Sequence, residues 1–451
     1  MRICIIGTGY VGLVTGTCFA EIGHDVICID KDRGKIECLL AGKMPIYEPG
    51  LKELVESNLR TGRLSFSTDM AEAARLSPTF YFIAVGTPSN HENGGADISY
   101  VHAAAEEAAI AVKTHGAGSA GFSVFVIKST VPVGTSCEVA RIIGRHLAEN
   151  DYAVASNPEF LREGCAIRDF MTPDRIIAGS KSERARALLE ELYRPLTRQG
   201  IPLVITTTVE TAELIKYAAN AFLATKISFI NELSQLCERI GADVDELALG
   251  IGLDKRIGNK FLKVGPGFGG SCFPKDTLVL IKTANDFQSP VEIVETVVRV
   301  NNRHKQLMLN KIRDAFGGTV AGKKIAVLGL AFKAGTDDVR DSPSLTIIPV
   351  LHDEGAIVSA YDPMASKNAE RVLGGDVVHY ATSLADALRN ASGAVIVTEW
   401  DEFKKADWRT LATTMAAPLL VDLRNLFSLQ EAGSMAITYV SLGRGPFEMS
   451  H

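Results

Sequence analysis

The sequence predicts an α/β protein with two Rossmann-like, doubly wound domains joined by a long central helix and a helical domain. Three observations indicate this fold. Short apolar runs alternate with helical patterns up to about residue 205, a helical pattern without Pro or internal Gly fills 209–241, and strand–helix alternation resumes at Lys323. Such alternation is typical of parallel sheets covered by helices. We predict three domains, at 1–205, 206–318 and 319–451, the second of them helical.

Composition excludes several classes of protein. The 451 residues are 46% apolar and 22% charged, as in ordinary globular proteins, and the formal net charge of −6 without a Lys/Arg cluster gives no support for nucleic-acid binding. No apolar stretch approaches the roughly 18–20 residues of a membrane span. Eight cysteines without a C-x-x-C pair indicate reduced thiols and no zinc site. We expect a cytoplasmic protein without a metal.

The strands of the first domain are read from its apolar runs. They are "RICIIG", "DVICID", "FYFIAVGTP" and "SVFVIKSTVP", followed by "YAVASNPEF", "RIIAGS" and "PLVITT". Helical patterns such as "SYVHAAAEEAAIAVKTH" separate them.

The central and last domains follow the same logic. At 1.5 Å per residue, the helix that starts near residue 209 would run roughly 45 Å, which suits a link between domains or a subunit interface. More helix is predicted through "SPVEIVETVVRVNNRHKQLMLNKIRDAFG". The last domain has strands at "KKIAVLGLAF", "AIVSAYDP", "AVIVTEW" and "PLLVDLRN". The tail beyond about residue 440 is predicted to be a loop or a frayed end.

A dinucleotide site is predicted at the first strand. Gly7-x-Gly9-x-x-Gly12 follows "RICII" and opens a helix, and Asp30 ends the second strand. The glycines would allow the tight turn, the approach of a pyrophosphate and close helix packing, while Asp30 would bind the ribose hydroxyls and repel a 2′-phosphate, favouring NAD over NADP. The alternative is a structural glycine turn with a solvated Asp30. Lys35 is either a further ribose contact or a surface lysine.

Two more strand ends of the first sheet carry polar residues. "VGTPS" supplies Thr87 and Pro88, and "KSTVPVG" supplies Ser129 and Thr130. Ligands in open α/β sheets bind beyond the carboxyl ends of strands, so these residues are predicted cofactor contacts. The alternative is a pair of ordinary turns.

A reactive cysteine is predicted in "GPGFGGSCFPKD" (265–276). The glycine-rich bend would leave backbone N–H groups near Cys272, and a helix beginning there would stabilise its thiolate. Asp276, four residues on, would share a face with Cys272 on that helix. The alternative is an incidental cysteine in a loop.

Two further pairs of polar residues are candidates. Glu159 and Glu163 lie in "NPEFLREG", and Lys216 and Asn220 lie four residues apart in "LIKYAANAF" on the long helix. The acids could simply be solvated. The helical pair could be a buried structural polar cluster.

Five stretches together resemble the UDP-glucose/GDP-mannose dehydrogenase family along nearly the whole chain. They are "GTGYVGL", "NPEFLREG", "LIKYAANAF", "GFGGSCFPKD" and "GLAFKAGTDDVRDSPS", in that order. The spelling of "NPEFLREG" and "GFGGSCFPKD" is closest to the members that act on UDP-glucose.

The resemblance implies an NAD-dependent, four-electron oxidation of UDP-glucose to UDP-glucuronate, with a thiohemiacetal and a thioester on the cysteine. It also implies a homodimer or a larger homo-oligomer. Of the three domains, it implies that 1–205 binds NAD, that 206–318 forms the dimer contact and carries the catalytic cysteine, and that 319–451 binds the UDP-sugar. The alternatives are the same chemistry on GDP-mannose or UDP-N-acetylmannosamine, a single-step dehydrogenase of the 6-phosphogluconate type, and a non-catalytic NAD-binding regulator.

The resemblance also assigns residues. Cys272 would be the nucleophile, Lys216, Asn220 and Asp276 would handle the oxyanion and water around C6 with help from Thr130, and Glu159 would be the acid/base of thioester hydrolysis. Whether Lys216 or a water held by Asp276 takes the first alcohol proton stays open. The implied cofactor-binding residues are Gly7, Gly9, Tyr10, Val11, Gly12, Asp30, Lys35, Thr87, Pro88, Ser129, Thr130, Glu163 and Arg340. The implied substrate-binding residues are Glu159, Phe160, Leu161, Lys216, Asn220, Arg256 (from a partner subunit), Phe261, Leu262, Lys263, Gly269, Lys333 and Arg424.

Overall fold

The computed structural model describes residues 1–88, 95–116 and 121–445. The chain forms two compact units. Met1–Ala219 and Leu278–Gln288 make the first unit, and Asn220–Thr277 and Ser289–His451 make the second. The three domain ranges given above stay a prediction, and the part of the predicted tail from 446 onward lies outside the described residues.

The first unit contains an eight-stranded sheet of strand order β3-β2-β1-β4-β5-β6-β7-β8. Neighbouring strands run parallel except β6 and β7, which pair antiparallel. The strands are β1 (Arg2–Ile6), β2 (Asp25–Ile29), β3 (Leu64–Ser67), β4 (Phe80–Ile83), β5 (Ser123–Ile127), β6 (Tyr152–Ser156), β7 (Ile176–Gly179) and β8 (Leu203–Thr206).

Helices cover both faces of this sheet, so its central strands are buried on both sides. Every residue of β4 is buried, with Phe80 and Phe82 packed into one apolar cluster and Tyr81 and Ile83 into another. That burial explains the continuous apolar runs of the sequence. The helices are α1 (Tyr10–Glu21), α2 (Arg33–Leu40), α3 (Leu51–Arg60), α4 (Met70–Arg75), α5 (Ser99–His115), α6 (Thr135–Ile143), α7 (Ala166–Met171) and α8 (Glu183–Thr197).

Four helices make up the middle of the chain. They are α9 (Val209–Ile240), α10 (Val244–Gly252), α11 (Phe273–Asp286) and α12 (Glu292–Ala315). The 32 residues of α9 confirm the long helix predicted from residue 209. Among the described residues, no helix is both long enough and apolar enough to cross a membrane.

The second unit contains a six-stranded parallel sheet of strand order β11-β10-β9-β12-β13-β14. The strands are β9 (Lys324–Leu328), β10 (Ile357–Tyr361), β11 (His379–Tyr380), β12 (Gly393–Ile396), β13 (Leu419–Asp422) and β14 (Thr438–Val440). The helices are α13 (Pro343–Asp353), α14 (Ser366–Leu373), α15 (Leu384–Leu388), α16 (Asp401–Lys405), α17 (Trp408–Ala412) and α18 (Leu429–Gly433). The predicted fold class, with two Rossmann-like parts and a long central helix, is confirmed.

Three strands were not predicted from the sequence: β3, β11 and β14. Each is an edge strand of its sheet and has two to four residues. An edge strand buries less of its surface, and in β3 ("LSFS") only alternate residues are buried. Its sequence therefore carries little apolar signal.

Candidate active site

The glycine turn between β1 and α1 has the shape that a dinucleotide requires. Gly7 has φ 102°, and a Cβ there would lie 2.7 Å from the carbonyl oxygen of Ala84. A Cβ on Gly12 would clash with the carbonyl of Gly7, whereas no described atom lies within 4 Å of a Cβ built on Gly9. Gly9 is also the N-cap residue of α1 and, as a glycine, offers no side chain to the N–H groups at the start of the helix. Backbone N–H groups at such a helix start are suited to a pyrophosphate.

Asp30 is held at the end of β2 by the glycine turn itself. Its carboxylate accepts hydrogen bonds from the N–H and hydroxyl of Thr8, at 2.8 and 2.7 Å, and from the N–H of Asp32 at 2.9 Å. Burial acts to raise the pKa of Asp30, but these hydrogen bonds and the nearby Lys35 outweigh it and lower the pKa overall. A carboxylate accepts about four hydrogen bonds, so Asp30 fits a ribose hydroxyl donor.

The polar segments that follow β4 and β5 are joined by hydrogen bonds. The hydroxyl of Thr87 donates to the carbonyl of Thr130 at 2.9 Å, and the hydroxyl of Ser129 donates to the carbonyl of Val85 at 2.7 Å. The structure therefore brings Thr87, Ser129 and Thr130 to one edge of the sheet, as predicted from the parallel strands.

Glu48, which sequence reasoning missed, joins the start of α1 to the loop that carries Glu163. The hydroxyl of Tyr10 donates to the Glu48 carboxylate, which also accepts the N–H of Gly164 at 2.8 Å and of Ala166 at 2.7 Å. Burial and the neighbouring Glu48 raise the pKa of Tyr10, so its hydroxyl stays protonated. The only sequence signal was one acid in "YEPG" before α3.

Glu159 and Lys216 form a buried ion pair in the first unit. Lys216 Nζ donates to Glu159 Oε1 at 2.9 Å, and the N–H of Leu161 donates to Glu159 Oε2 at 2.6 Å. The two residues are 6% and 3% exposed. Burial acts to raise the pKa of Glu159, but the charge and hydrogen bond of Lys216, the Leu161 N–H and the charge of Lys128 lower it overall. Glu159 is therefore a carboxylate at neutral pH, and it is buried rather than solvated.

Phe160 lies beside this ion pair. Lys216 Nζ is 5.4 Å from the centroid of the Phe160 ring, and the guanidinium of Arg175 lies 3.8 Å from the same centroid. The ring of Phe160 thus places an apolar, cation-binding surface next to the Glu159 carboxylate.

In the second unit, the glycines before Cys272 are explained by close packing. A Cβ on Gly269 would clash with the carbonyl of Asp341, and Gly270 has φ 83° and would place a Cβ 2.7 Å from the ring of Phe332. Larger residues would push the loop away from the segment 332–342.

Three buried side chains from α9 and α12 form hydrogen bonds with the backbone of this loop. Asn231 accepts the Gly265 N–H at 2.9 Å, and His304 bonds the Gly265 carbonyl at 2.8 Å through Nε2. Asn301 accepts the Phe268 N–H at 2.9 Å and donates to the Phe268 carbonyl at 3.1 Å. Burial lowers the pKa of His304, so it is neutral and donates through Nε2. Sequence reasoning missed all three because polar residues on a long helix look like solvated ones.

Cys272 immediately precedes α11 and is partly exposed. Its carbonyl accepts the N–H of Asp276 at 2.8 Å, which places Asp276 in the first turn of α11. Asn220 Nδ2 donates to Asp276 Oδ2 at 2.6 Å, and both side chains are buried. The predicted helix after Cys272 is confirmed. A thiol at a helix N-terminus has its thiolate stabilised by the helix dipole.

The predicted substrate residues of the second unit lie in three places: Phe261 and Leu262 adjoin each other, Arg256 lies in the segment before them, and Lys333 and Arg424 lie at Phe332. Phe261 has φ 66°, an uncommon conformation for an aromatic residue, next to the buried Leu262. Arg256 is highly exposed and paired with Asp254. Arg340, which was predicted to bind the cofactor, is exposed and paired with Asp338.

Lys333 and Arg424 both contact Phe332, one at its ring and the other at its backbone carbonyl. Lys333 Nζ lies 5.6 Å from the centroid of Phe332, whose carbonyl accepts a hydrogen bond from Arg424 at 2.9 Å. Arg424 also donates to the Val397 carbonyl at 2.7 Å and lies 3.1 Å from the Glu399 carboxylate. No group of three His, Cys, Asp or Glu residues in the described part of the chain is arranged to hold a metal ion.

The predicted residues thus gather into separate sets. The first unit holds the glycine turn with Asp30, the strand ends and the Glu159–Lys216 pair. The second holds Cys272 with Asn220 and Asp276. One helix, α9, carries both Lys216 and Asn220. The individual roles of these residues stay predictions.

A Rossmann-like unit with this glycine turn and acid is typical of the NAD-binding domains of dehydrogenases. Models of the UDP-glucose/GDP-mannose dehydrogenase family match the chain three times: the NAD binding domain at 1–197, the central domain at 210–303 and the UDP binding domain at 326–429. The chain belongs to this family. The predicted family, oxidoreductase class and NAD cofactor are confirmed.

Relatives are similar over the full chain. A UDP-glucose 6-dehydrogenase of Rhizobium meliloti (strain 1021) is 53% identical, with 98% of this chain and 100% of the relative covered. The UDP-glucose 6-dehydrogenase TuaD of Bacillus subtilis (strain 168) is 48% identical, with 98% and 93% covered. A solved UDP-glucose dehydrogenase from the archaeon Pyrobaculum islandicum has TM-score 0.88 and 39% identity, with 97% and 96% covered.

Proposed function

We propose that this enzyme oxidises the C6 alcohol of UDP-glucose to the carboxylate of UDP-glucuronate through a thioester on Cys272. The observation that carries the proposal is the position of Cys272, directly before α11, with Asp276 buried in the first turn and bonded to Asn220. A partly exposed thiol with this support is unexplained in a dehydrogenase that performs a single oxidation. The relatives named UDP-glucose 6-dehydrogenase support the sugar nucleotide.

The chemistry balances as two oxidations at one carbon. NAD⁺, when bound, accepts a hydride, and two equivalents are consumed per sugar. Loss of a hydride from C6 and a proton from O6 gives an aldehyde, and the Cys272 thiolate adds to C6 to give a thiohemiacetal. Loss of a second hydride gives a thioester. Water then attacks C6 and gives up its two protons, the C–S bond breaks with its electron pair returning to sulfur as a thiolate, and the carboxylate leaves.

The buried polar residues are suited to accept and donate protons in these reaction steps. Glu159 is ionised and can accept a proton from the hydrolytic water. Lys216 donates to Glu159 and is a candidate to hold the oxyanion at O6 or to take its proton, while Asn220 and Asp276 would bind water near Cys272. Thr130, at the end of β5, would help to hold that water.

The cofactor and the sugar nucleotide would use the other predicted residues. Gly9, Asp30 and the ends of β4 and β5 would hold NAD. Arg256, Lys263, Lys333 and Arg424 would hold the UDP pyrophosphate, since basic groups pair with phosphate oxygens.

Counting NADH per sugar over a panel of nucleotide sugars tests this function. We expect two NADH per UDP-glucose and slower turnover of GDP-mannose and UDP-N-acetylmannosamine. A UDP-D-ManNAc dehydrogenase from Pyrococcus horikoshii, with TM-score 0.84 and 27% identity, makes that comparison necessary. One NADH per sugar would favour a single-step dehydrogenase.

We also propose that the protein is a homodimer or a larger homo-oligomer. Four apolar side chains of α9 are exposed by half or more: Phe222, Phe229, Leu236 and Ile240. The first three recur every seven residues, so they share one face of α9. An exposed apolar face of this kind is typical of a contact with another protein surface, and a second copy would supply the same face. None of the eight cysteines, all of which lie in the described residues, forms a disulfide, which favours a reducing compartment, the cytoplasm.

A further inference from the structure

The first unit buries two lysines near one glutamate. Lys216 is hydrogen-bonded to Glu159, and Lys128 lines the same small cavity as Glu159. Lys128, Glu159 and Lys216 are 5%, 6% and 3% exposed. The Glu159–Lys216 ion pair accounts for one lysine. Burying a second ammonium group is unfavourable unless it is paired and hydrogen-bonded, so the burial of Lys128 needs an explanation.

Lys128 is fixed in place by the same loop that carries Glu159. It follows β5, and its Nζ donates to Asn157 Oδ1 at 3.0 Å. Asn157 is anchored in turn, because its Nδ2 donates to the Ile177 carbonyl at 2.6 Å and its Oδ1 accepts the Tyr193 hydroxyl at 2.5 Å. Asn157 precedes Glu159 by two residues. The ammonium group of Lys128 is therefore fixed to the loop that carries Glu159 and does not reach solvent.

The three ionisable groups influence one another. Burial lowers the pKa of Lys128 to about 8, while the charge of Glu159 raises it and the charge of Lys216 lowers it. Lys128 in turn lowers the pKa of Glu159, after Lys216 and the Leu161 N–H. Removing the charge of Lys216 would therefore make Lys128 hold its proton more firmly. The other ionisable groups that line this region come from α7, α8, α9 and the segment between α7 and β7. They are Asp169, Tyr193, Glu213, Tyr217 and Arg175.

This coupling matters when Lys216 changes its own charge. If Lys216 gives up its proton or turns toward the oxyanion at O6, Glu159 loses its ion-pair partner in a buried site. A buried carboxylate without a cation takes up a proton. A protonated Glu159 cannot act as the base that activates the hydrolytic water.

We propose that Lys128 is a positioning residue whose fixed ammonium group keeps Glu159 ionised through the steps in which Lys216 is engaged elsewhere. This proposal rests on the proposed function, in which Glu159 acts in thioester hydrolysis. Lys128 acts through Glu159 and forms no bond to substrate.

The test is the pH dependence of thioester breakdown in single turnovers, measured by rapid quench as decay of the protein-bound acyl group. Lys128→Gln keeps a donor for Asn157 and removes the charge. We expect the acid limb of its profile to move to higher pH by about one to three units, the effect of losing a nearby opposite charge. The two hydride transfers should keep their stoichiometry.

Two controls separate charge from packing. Lys128→Arg keeps the charge and should restore the wild-type profile. Tyr193→Phe removes the other hydrogen bond to Asn157 Oδ1 without changing any charge, and should leave the profile in place. An unshifted profile in Lys128→Gln, or an equal shift in Tyr193→Phe, would overturn the proposal.

A second measurement covers the case in which Lys128→Gln does not fold. The ionisation of Glu159 is read by ¹³C NMR in Lys216→Met protein labelled with carboxyl-¹³C glutamate, and the Glu159→Gln variant assigns the signal. Glu159 should remain ionised at neutral pH because Lys128 is still present. Protonation of Glu159 at neutral pH would overturn the proposal. Failure of the wild-type enzyme to form any thioester would instead contradict the proposed function.

Discussion

Asn220 and Asp276 are joined in the second unit by a 2.6 Å hydrogen bond from an amide to a carboxylate, with both side chains buried. The amide of Asn220 donates a hydrogen bond to the carboxylate of Asp276, which follows Cys272 by one helical turn. Replacing that amide by an acid would place two buried carboxyl groups in contact.

Asn220→Asp should therefore raise the pKa of one of the two acids, since like charges in contact cannot both ionise cheaply. Each unit of raised pKa costs about 1.4 kcal/mol of stability once the pH lies above the folded pKa. The sign follows from linkage. The variant should be closest to wild type in acid and lose stability as pH rises from the unfolded pKa through the raised folded pKa. Thermal unfolding across pH measures this, and parallel curves for both proteins would contradict it.

Asp30→Ala should weaken binding of NAD⁺ and relax the preference against NADP⁺. The variant loses the ribose acceptor that Thr8 orients, and a hydrogen bond to a charged group is worth about 1.5–3 kcal/mol, or roughly 10- to 150-fold. Titration of both cofactors measures it. An unchanged affinity for NAD⁺ would show that Asp30 does not bind the ribose.

Asn301→Leu should loosen the glycine loop before Cys272. The N–H and carbonyl of Phe268 would lose their buried partner, at a cost of about 1–3 kcal/mol each. We expect a lower melting temperature and an altered rate of Cys272 alkylation. Asn302→Leu, at the neighbouring exposed position of α12, is the matched control and should change neither. Equal effects in both variants would remove the role given to Asn301.

Arg256 is predicted to act from a partner subunit, and mixed oligomers test this. Arg256→Ala and Cys272→Ala proteins are each impaired alone. Unfolding and refolding them together should recover about one quarter of wild-type activity, because a mixed dimer contains one complete site. No recovery in mixed dimers would place Arg256 in the site of its own subunit.

The sequence predicted the fold well because both sheets are buried on both faces. Strands such as β4 and β9 then become apolar runs bounded by glycine turns, and the helices between them carry clear periodicity. The edge strands β3, β11 and β14 have no such constraint. Their pairing depends on the neighbouring strand more than on their own residues.

The site was predictable where backbone geometry demands a residue type. Gly7 and Gly12 have no space for a Cβ, and Cys272 follows a bend that only glycines permit. The supporting residues were not predictable in this way. Lys128, Asn231 and His304 resemble ordinary polar residues in sequence, and only the tertiary structure reveals their burial and partners.

Glu159 could be recognised as a candidate but not as a buried one. Its low pKa depends on Lys216, which is 57 residues away in sequence, and on Lys128. No local pattern encodes such a pairing, because it is created by the sheet and by α9.

The covalent intermediate on Cys272 is the central claim, and intact-protein mass spectrometry of Glu159→Gln tests it most directly. This variant keeps the nucleophile but impairs hydrolysis, where an acid/base typically contributes about 10²- to 10⁴-fold. With UDP-glucose and NAD⁺ it should give a burst of NADH, and the quenched protein should carry one UDP-sugar acyl group that peptide mapping places on Cys272. Cys272→Ala should carry none. A burst without any adduct, or an adduct on another cysteine, would contradict the account.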